Sequence, residues 1–216
     1  MKYVTLLLLS TCCLFGFGQN TLETKYKATY SIQGKQEFSI YFDKACDTFY
    51  LDKLPFPVER GMYVEQVLVH IPSSKIYGHM NFRGMNMYVE LGEDFLQEFR
   101  MMGAFDLDAD VSMNFVKNKE TQAYEDLNCT PYDIYPDGEE NDALSMCFDE
   151  NKPYPMARLF GFLFNGLIPG SLDEKELPKG VVSGLSDPNS GELLISLTDF
   201  GKDPKEIEYA IYIKAN

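Results

Sequence analysis

Apolar residues recur at every second position over much of this chain, and that spacing constrains its fold more than any other feature. Tyr26, Ala28, Tyr30 and Ile32 share one side of an extended segment, with Lys25, Lys27, Thr29 and Ser31 on the other. Gly34 interrupts the run, after which Phe38, Ile40 and Phe42 alternate with Ser39, Tyr41 and Asp43. The same reading predicts strands over 48–54, 62–71, 74–82, 85–91, 111–117, 122–135, 143–149, 180–185, 191–199 and 207–214. Gly, Pro, Asp and Asn crowd the connections, as in Pro72-Ser73-Ser74, Asp137-Gly138, Asp187-Pro188-Asn189-Ser190-Gly191 and Asp203-Pro204. Many short strands joined by tight turns predict one large antiparallel sheet, curled or split to hide its apolar side. No internal repeat or low-complexity linker divides the chain, so a single domain over 19–216 is expected.

Residues 1–18 read as a secretory signal. Lys2 supplies the positive start, Val4 to Leu9 and Cys12 to Phe17 the apolar stretch, and Gly16-Phe17-Gly18 the small-x-small cleavage site. An alternative is a lipoprotein signal with Cys12 or Cys13 as the lipidated residue. Removal of 1–18 takes away Lys2 and no acid, so 18 basic groups face 33 acidic ones, net −15. Such acidity opposes binding to a nucleic-acid backbone, which requires a basic face. No other stretch has the apolar length of a membrane-spanning helix, so the chain is expected to be exported, periplasmic or extracellular, and not integral to a membrane.

Three cysteines remain beyond the signal: Cys46, Cys129 and Cys147. Cys129 and Cys147 flank the turn Pro136-Asp137-Gly138-Glu139. If 122–135 and 143–149 are the arms of a hairpin, the two lie nearly opposite and a cross-strand disulfide becomes geometrically feasible. Three buried apolar thiols are the alternative.

Two segments depart from the strand period. In 93–102, Phe95, Leu96, Phe99 and Met102 follow helical spacing, with acids near the start. In 154–165, Met156, Leu159, Phe160, Leu163 and Phe164 stand at i, i+3, i+4, i+7 and i+8, between Pro155 and Asn165-Gly166. Arg158 is the only charge in this second helix, which must therefore be buried on most sides or held in a cleft against the sheet.

The strand around Asn128-Cys129-Thr130-Pro131-Tyr132, the apolar helix 154–165, and the ending Leu177-Pro178-Lys179-Gly180, Gly191 to Thr198 and 207–214 together resemble a known group. The chain is similar to secreted Gram-negative bacterial proteins of unknown function that share the lipoprotein-carrier (LolA-like) fold. The resemblance implies an α+β, mainly antiparallel fold: a curved open sheet, an unclosed barrel, with helices packed on its concave face. Carriers of that fold hold acyl chains between sheet and helices, and no functional residue is transferred from them.

Six of the ten methionines fall between Met80 and Met113, among Phe82, Tyr88, Phe95, Phe99 and Phe105. Met and Phe together make a pliable apolar lining suited to a flexible chain, although ordinary core packing uses the same residues. The expected lining is Met80, Phe82, Met85, Met87, Phe95, Phe99, Met102, Met156, Leu159, Phe160, Leu163 and Phe164, with Arg83 or Arg158 for a headgroup. His79-Met80 and Met85-x-Met87 offer soft ligands for Cu(I), and Asp106, Asp108 and Asp110 outline a calcium loop that lacks its glycine and terminal glutamate, so neither is adopted as a metal site. No nucleophile elbow, zinc-protease helix, P-loop or dinucleotide fingerprint is present. The expectation is a non-catalytic, cofactor-free envelope protein that binds a lipid or acyl chain. A structural or protein-interaction module that contacts an envelope partner is the alternative.

Overall fold

β-branched and aromatic residues at alternate positions put the backbone in extended conformation wherever tight turns separate them. The computed structural model describes residues 19–53, 64, 66–82, 85–91, 113–119, 124, 126–136, 140, 143–159, 162, 177–187 and 190–210. Eleven strands are described: β1 Gln19–Ile32, β2 Gln36–Phe42, β3 Thr48–Leu51, β4 Gln66–His70, β5 Lys75–Phe82, β6 Met85–Glu90, β7 Met113–Lys117, β8 Thr130–Pro136, β9 Leu144–Asp149, β10 Val181–Ser186 and β11 Leu193–Ala210. They form one unclosed sheet of order β6-β5-β4-β3-β2-β1-β11-β10-β9-β8-β7. The chain starts at the centre, steps outward to β6, reappears at the opposite edge as β7 and steps back until β11 lies beside β1.

Backbone chemistry at the turns explains the hairpins. Gln33 and Gly34 both have positive φ, 47° and 68°, and Lys35 N–H donates to the Ile32 carbonyl at 2.9 Å. Two such residues twist the turn in the sense that paired strands need. Pro72 lies in the 3-10 turn Ile71–Ser73, and Ser74, at φ 52°, returns its N–H to the Ile71 carbonyl.

Two strand expectations are corrected. The turn expected at Asp203-Pro204 is instead a bulge inside the continuous strand β11. Between the pairs Tyr26↔Lys202 and Thr24↔Lys205, β11 carries one more residue than β1. A bulge tolerates proline because its amide need not join the ladder, and β10 pairs β11 only as far as Ser196. The strand expected over 122–135 begins only at Thr130. Before it, Leu127 N–H bonds the Tyr124 carbonyl and Cys129 N–H the Leu127 carbonyl, which coils the segment.

The sheet buries apolar side chains on both faces, unlike the half-polar alternation of a single-sided sheet. The main face gathers Tyr30, Phe38, Ile40, Phe42, Phe49, Val69, Ile76, Ile134, Met146 and Phe148 into one core. Behind β2–β6 lies a second, smaller core of Tyr41, Tyr50, Leu68, Tyr77 and Tyr88. The outer parts of β1 and β11 continue beyond β2 as a two-stranded ribbon that bends over this second face, bringing Leu22, Ile207 and Tyr209 onto the tyrosines. Tyr209 lies 6.1 Å from Tyr77 and 6.0 Å from Tyr88, ring to ring.

Behind β9 and β10 the solution differs. Ser145, Cys147, Gly184 and Ser186 leave a shallow depression, and Tyr124 fills it. Its hydroxyl donates to the Ser145 carbonyl at 2.5 Å and meets Ser186 Oγ at 2.9 Å. A Cβ on Gly184 would lie 3.0 Å from Leu193, 3.2 Å from the Tyr124 ring and 3.3 Å from Leu127. A Cys129–Cys147 disulfide, Cα atoms 5.6 Å apart, ties this plug to β9. Helix is scarce among the described residues, limited to 157–159 and 162; the expected helix 93–102 lies outside them.

Candidate functional site

The only helical residues described on the main face follow β9, and the connection is built tightly. Asn151 N–H donates to Asp149 Oδ1 at 3.0 Å, and Lys152 Nζ donates to Oδ2 at 2.5 Å. Burial pushes the Asp149 carboxyl up, but Lys152 and the Asn151 amide outweigh it and hold the group below the usual carboxylate range, so it stays charged. The Tyr154 carbonyl then accepts the Gly180 N–H at 2.9 Å, and Pro155 bridges Gly180 in parallel. A Cβ on Gly180 would stand 2.9 Å from Phe148 Cβ and 3.0 Å from the Asp149 carbonyl oxygen, so glycine permits this crossing. Met156 and Leu159, 0% and 1% exposed, enter the main core with Ala157 and Phe162. Tyr30 Oη lies 3.9 Å from Met156 Sδ.

Arg158 points away from that core. It donates to the Ala45 carbonyl at 2.9 Å and pairs with the Asp47 carboxylate. Its partner loop is stiff. The Asp43 carboxylate accepts the N–H groups of Ala45, Asp47 and Thr48, and Cys46 takes φ 55° to turn its side chain inward. Burial, with Asp43 next, pushes the Cys46 thiol far up, so it rests as an uncharged core residue.

Where the connection leaves the sheet, four rings meet. Tyr154 lies 4.6 Å from Tyr26, 5.7 Å from Phe42 and 5.6 Å from Phe200, centroid to centroid. Tyr26 and Phe200 are parallel at 6.4 Å. Tyr26, Tyr154 and Phe200 are half-buried while Phe42 is fully buried, so the cluster forms a rim between core and solvent. A hydrogen bond to the Tyr26 hydroxyl, and burial after it, push the Tyr154 phenol up to about 12. The Lys152 ammonium stands 5.4 Å from the Phe200 centroid.

The sequence-predicted residues distribute as follows. Met156 and Leu159 come together in the main core. Met80 pairs Met87 and Phe82 pairs Met85 across the β5–β6 ladder, but their side chains lie outside the described residues. Arg83, Phe95, Phe99, Met102, Phe160, Leu163 and Phe164 also lie outside them, as do Asp106, Asp108 and Asp110. Arg158, expected to meet a headgroup, pairs with Asp47 and the Ala45 carbonyl. His79 pairs Tyr88 across the same ladder, their rings 5.2 Å apart. Among the described residues no three His, Cys, Asp or Glu side chains gather as a metal site, and no helix is long and apolar enough to cross a membrane.

Sequence reasoning missed the aromatic rim. Tyr26 belonged to a predicted strand face, Tyr154 was the first residue of the predicted segment 154–165, and Phe200 fell just beyond a predicted strand end. A ring immediately before a Pro-initiated apolar helix was the available signal. Comparison with protein-family models, curated proteins and solved structures finds no match to this chain.

Proposed function

We propose that this chain is an exported, non-catalytic envelope protein that binds a lipid or acyl chain between the main face of its sheet and the apolar helix beginning at Met156. The observation that carries the reading is the half-buried aromatic rim of Tyr26, Tyr154 and Phe200 at the margin of the main core. Its rings join a fully apolar interior to a charged pair, Asp149 and Lys152, which is the gradient an amphiphile follows. The two apolar faces also differ in what covers them. The second is closed by strands continuous with the sheet, whereas the main core takes Met156, Ala157, Leu159 and Phe162 from the connection between β9 and β10. A ligand enters by displacing that segment, since Met156 and Leu159 are fully covered. The arrangement that the LolA-like resemblance implies, with helices across a concave side, fits this reading.

Lipid extraction of the protein purified from its own envelope tests it, together with N-terminal sequencing for a start at Gln19. Co-purified acyl lipid and a lipid-dependent rise in hydrogen exchange over 154–162 are expected. A lipid-free protein that binds no fatty acid in calorimetry rejects the reading.

One observation favours a second reading as an interaction module. Val116, 46% exposed, is the one large apolar side chain so exposed among the described residues, and it lies on edge strand β7. An added partner strand would cover it. Val116→Lys would then abolish partner capture without altering lipid content.

A further inference from the structure

One ring of the rim, Phe200, already carries a cation. Lys152 reaches back from the turn after β9, its ammonium 5.4 Å from the Phe200 centroid and 2.5 Å from Asp149 Oδ2. The Asp149 side chain is only 10% exposed, whereas Lys152 is 37% exposed and sits on a surface turn. The less accessible partner is thus the anion and the rings, and the more accessible one is the cation that fills them.

Flat aromatic faces beside a carboxylate are the chemistry that recognises a quaternary ammonium: the ring quadrupole attracts the diffuse charge, and the carboxylate neutralises it without a hydrogen bond. Tyr26, Tyr154 and Phe200 supply three such rings within 6.4 Å of one another. We propose that this rim is the headgroup seat for a phosphocholine-type amphiphile, in which the ligand's quaternary ammonium replaces the Lys152 ammonium beside Asp149. The freed Lys152 then meets the phosphate of the same headgroup, so charge stays balanced: Asp149 faces the ligand's cation and Lys152 its anion. Lys152 is a tethered stand-in for the ligand. This inference rests on the acyl-binding reading and names its substrate class.

Three probes on the full chain separate the two: a lysophosphatidylcholine, a lysophosphatidylglycerol with the same acyl chain, and tetramethylammonium chloride, each titrated by calorimetry below any micelle concentration. The choline lipid should bind about tenfold tighter than the glycerol lipid. Lys152→Met, which empties the seat, should tighten tetramethylammonium binding several-fold, and Phe200→Leu should erase both the preference and that gain. If Phe200→Leu does not fold, Tyr154→Leu takes its place. Equal affinity for the two lysolipids, with Lys152→Met leaving tetramethylammonium binding unchanged, overturns the seat and leaves acyl binding standing. Failure of both lysolipids to bind overturns the acyl reading and the seat with it.

Discussion

Strands β2–β6 and strands β9–β10 each have a second face to cover, and they cover it by opposite means. Behind β2–β6 the side chains are large: Tyr41, Tyr50, Tyr77 and Tyr88 project into a layer that the bent β1–β11 ribbon closes with Leu22, Ile207 and Tyr209. Behind β9–β10 they are small, and a single ring, Tyr124, drops into the space that Ser145, Gly184 and Ser186 leave. The first cover is held by area and ring contacts. The second is held by specific bonds, two to one hydroxyl and one covalent. Burial of aromatic surface is tolerant of small shifts, whereas a hydrogen-bonded plug is not, so the two halves should fail under different stresses.

Alkaline pH should break the ribbon side first, and with the largest effect. Burial raises the folded-state pKa of Tyr41, Tyr50, Tyr77 and Tyr88 above the unfolded value of about 10. A raised folded pKa contributes stability that is complete below the unfolded value and lost as pH climbs through the folded one. Burial raises Tyr124 behind β9–β10 in the same direction, but as one phenol against four, so tyrosinate absorbance and hydrogen exchange followed together above about pH 10 should show β2–β6 opening before β9–β10. Simultaneous opening would mean that the two covers are one cooperative unit.

Loss of the disulfide should reverse that order. Cys129→Ser with Cys147→Ala frees a loop of 18 residues' separation and should cost about 3 kcal/mol in denaturant unfolding, with exchange rising over 124–129 and not over β2–β6. Tyr124→Phe is narrower. It keeps the ring but strands the Ser145 carbonyl and Ser186 hydroxyl, for an expected loss of about 1–2 kcal/mol. The smallest effect belongs to Lys205, whose ammonium lies 4.4 Å from the Tyr41 centroid and 4.6 Å from that of Tyr50. Lys205→Gln should cost about 0.5–1 kcal/mol, confined to the ribbon side.

The strand architecture was legible in the sequence because side-chain alternation is a local property. Tyr26 to Ile32 and Phe38 to Phe42 announce their pairing partners without reference to anything distant. The double-sided burial was harder to read. Tyr41, read with Ser39 and Asp43 as the polar side of its strand, is buried in the second core, since a tyrosine serves both water and a core. Asp203-Pro204 carries every mark of a turn, and it remains in a strand where, among the described residues, β10 no longer pairs β11. The plug was invisible for a related reason. Small residues at 145, 147, 184 and 186 mean nothing until β9 and β10 lie side by side. The candidate site was read least well: Met156 and Leu159 followed from helical spacing, but the rim joins residues 26, 154 and 200, which only the assembled sheet brings together.

The pairing of β1 with β11 has a kinetic consequence. Gln19 meets Ala210, so the central ladder joins residues almost the full chain apart, whereas every other ladder joins strands adjacent in sequence. Local hairpins can form early and independently, but this seam must first overcome the loop-closure entropy of everything between its ends. It is therefore the slow step, and until it closes the two hairpin arrays are separate bodies. The middle of the finished sheet is the last part to exist.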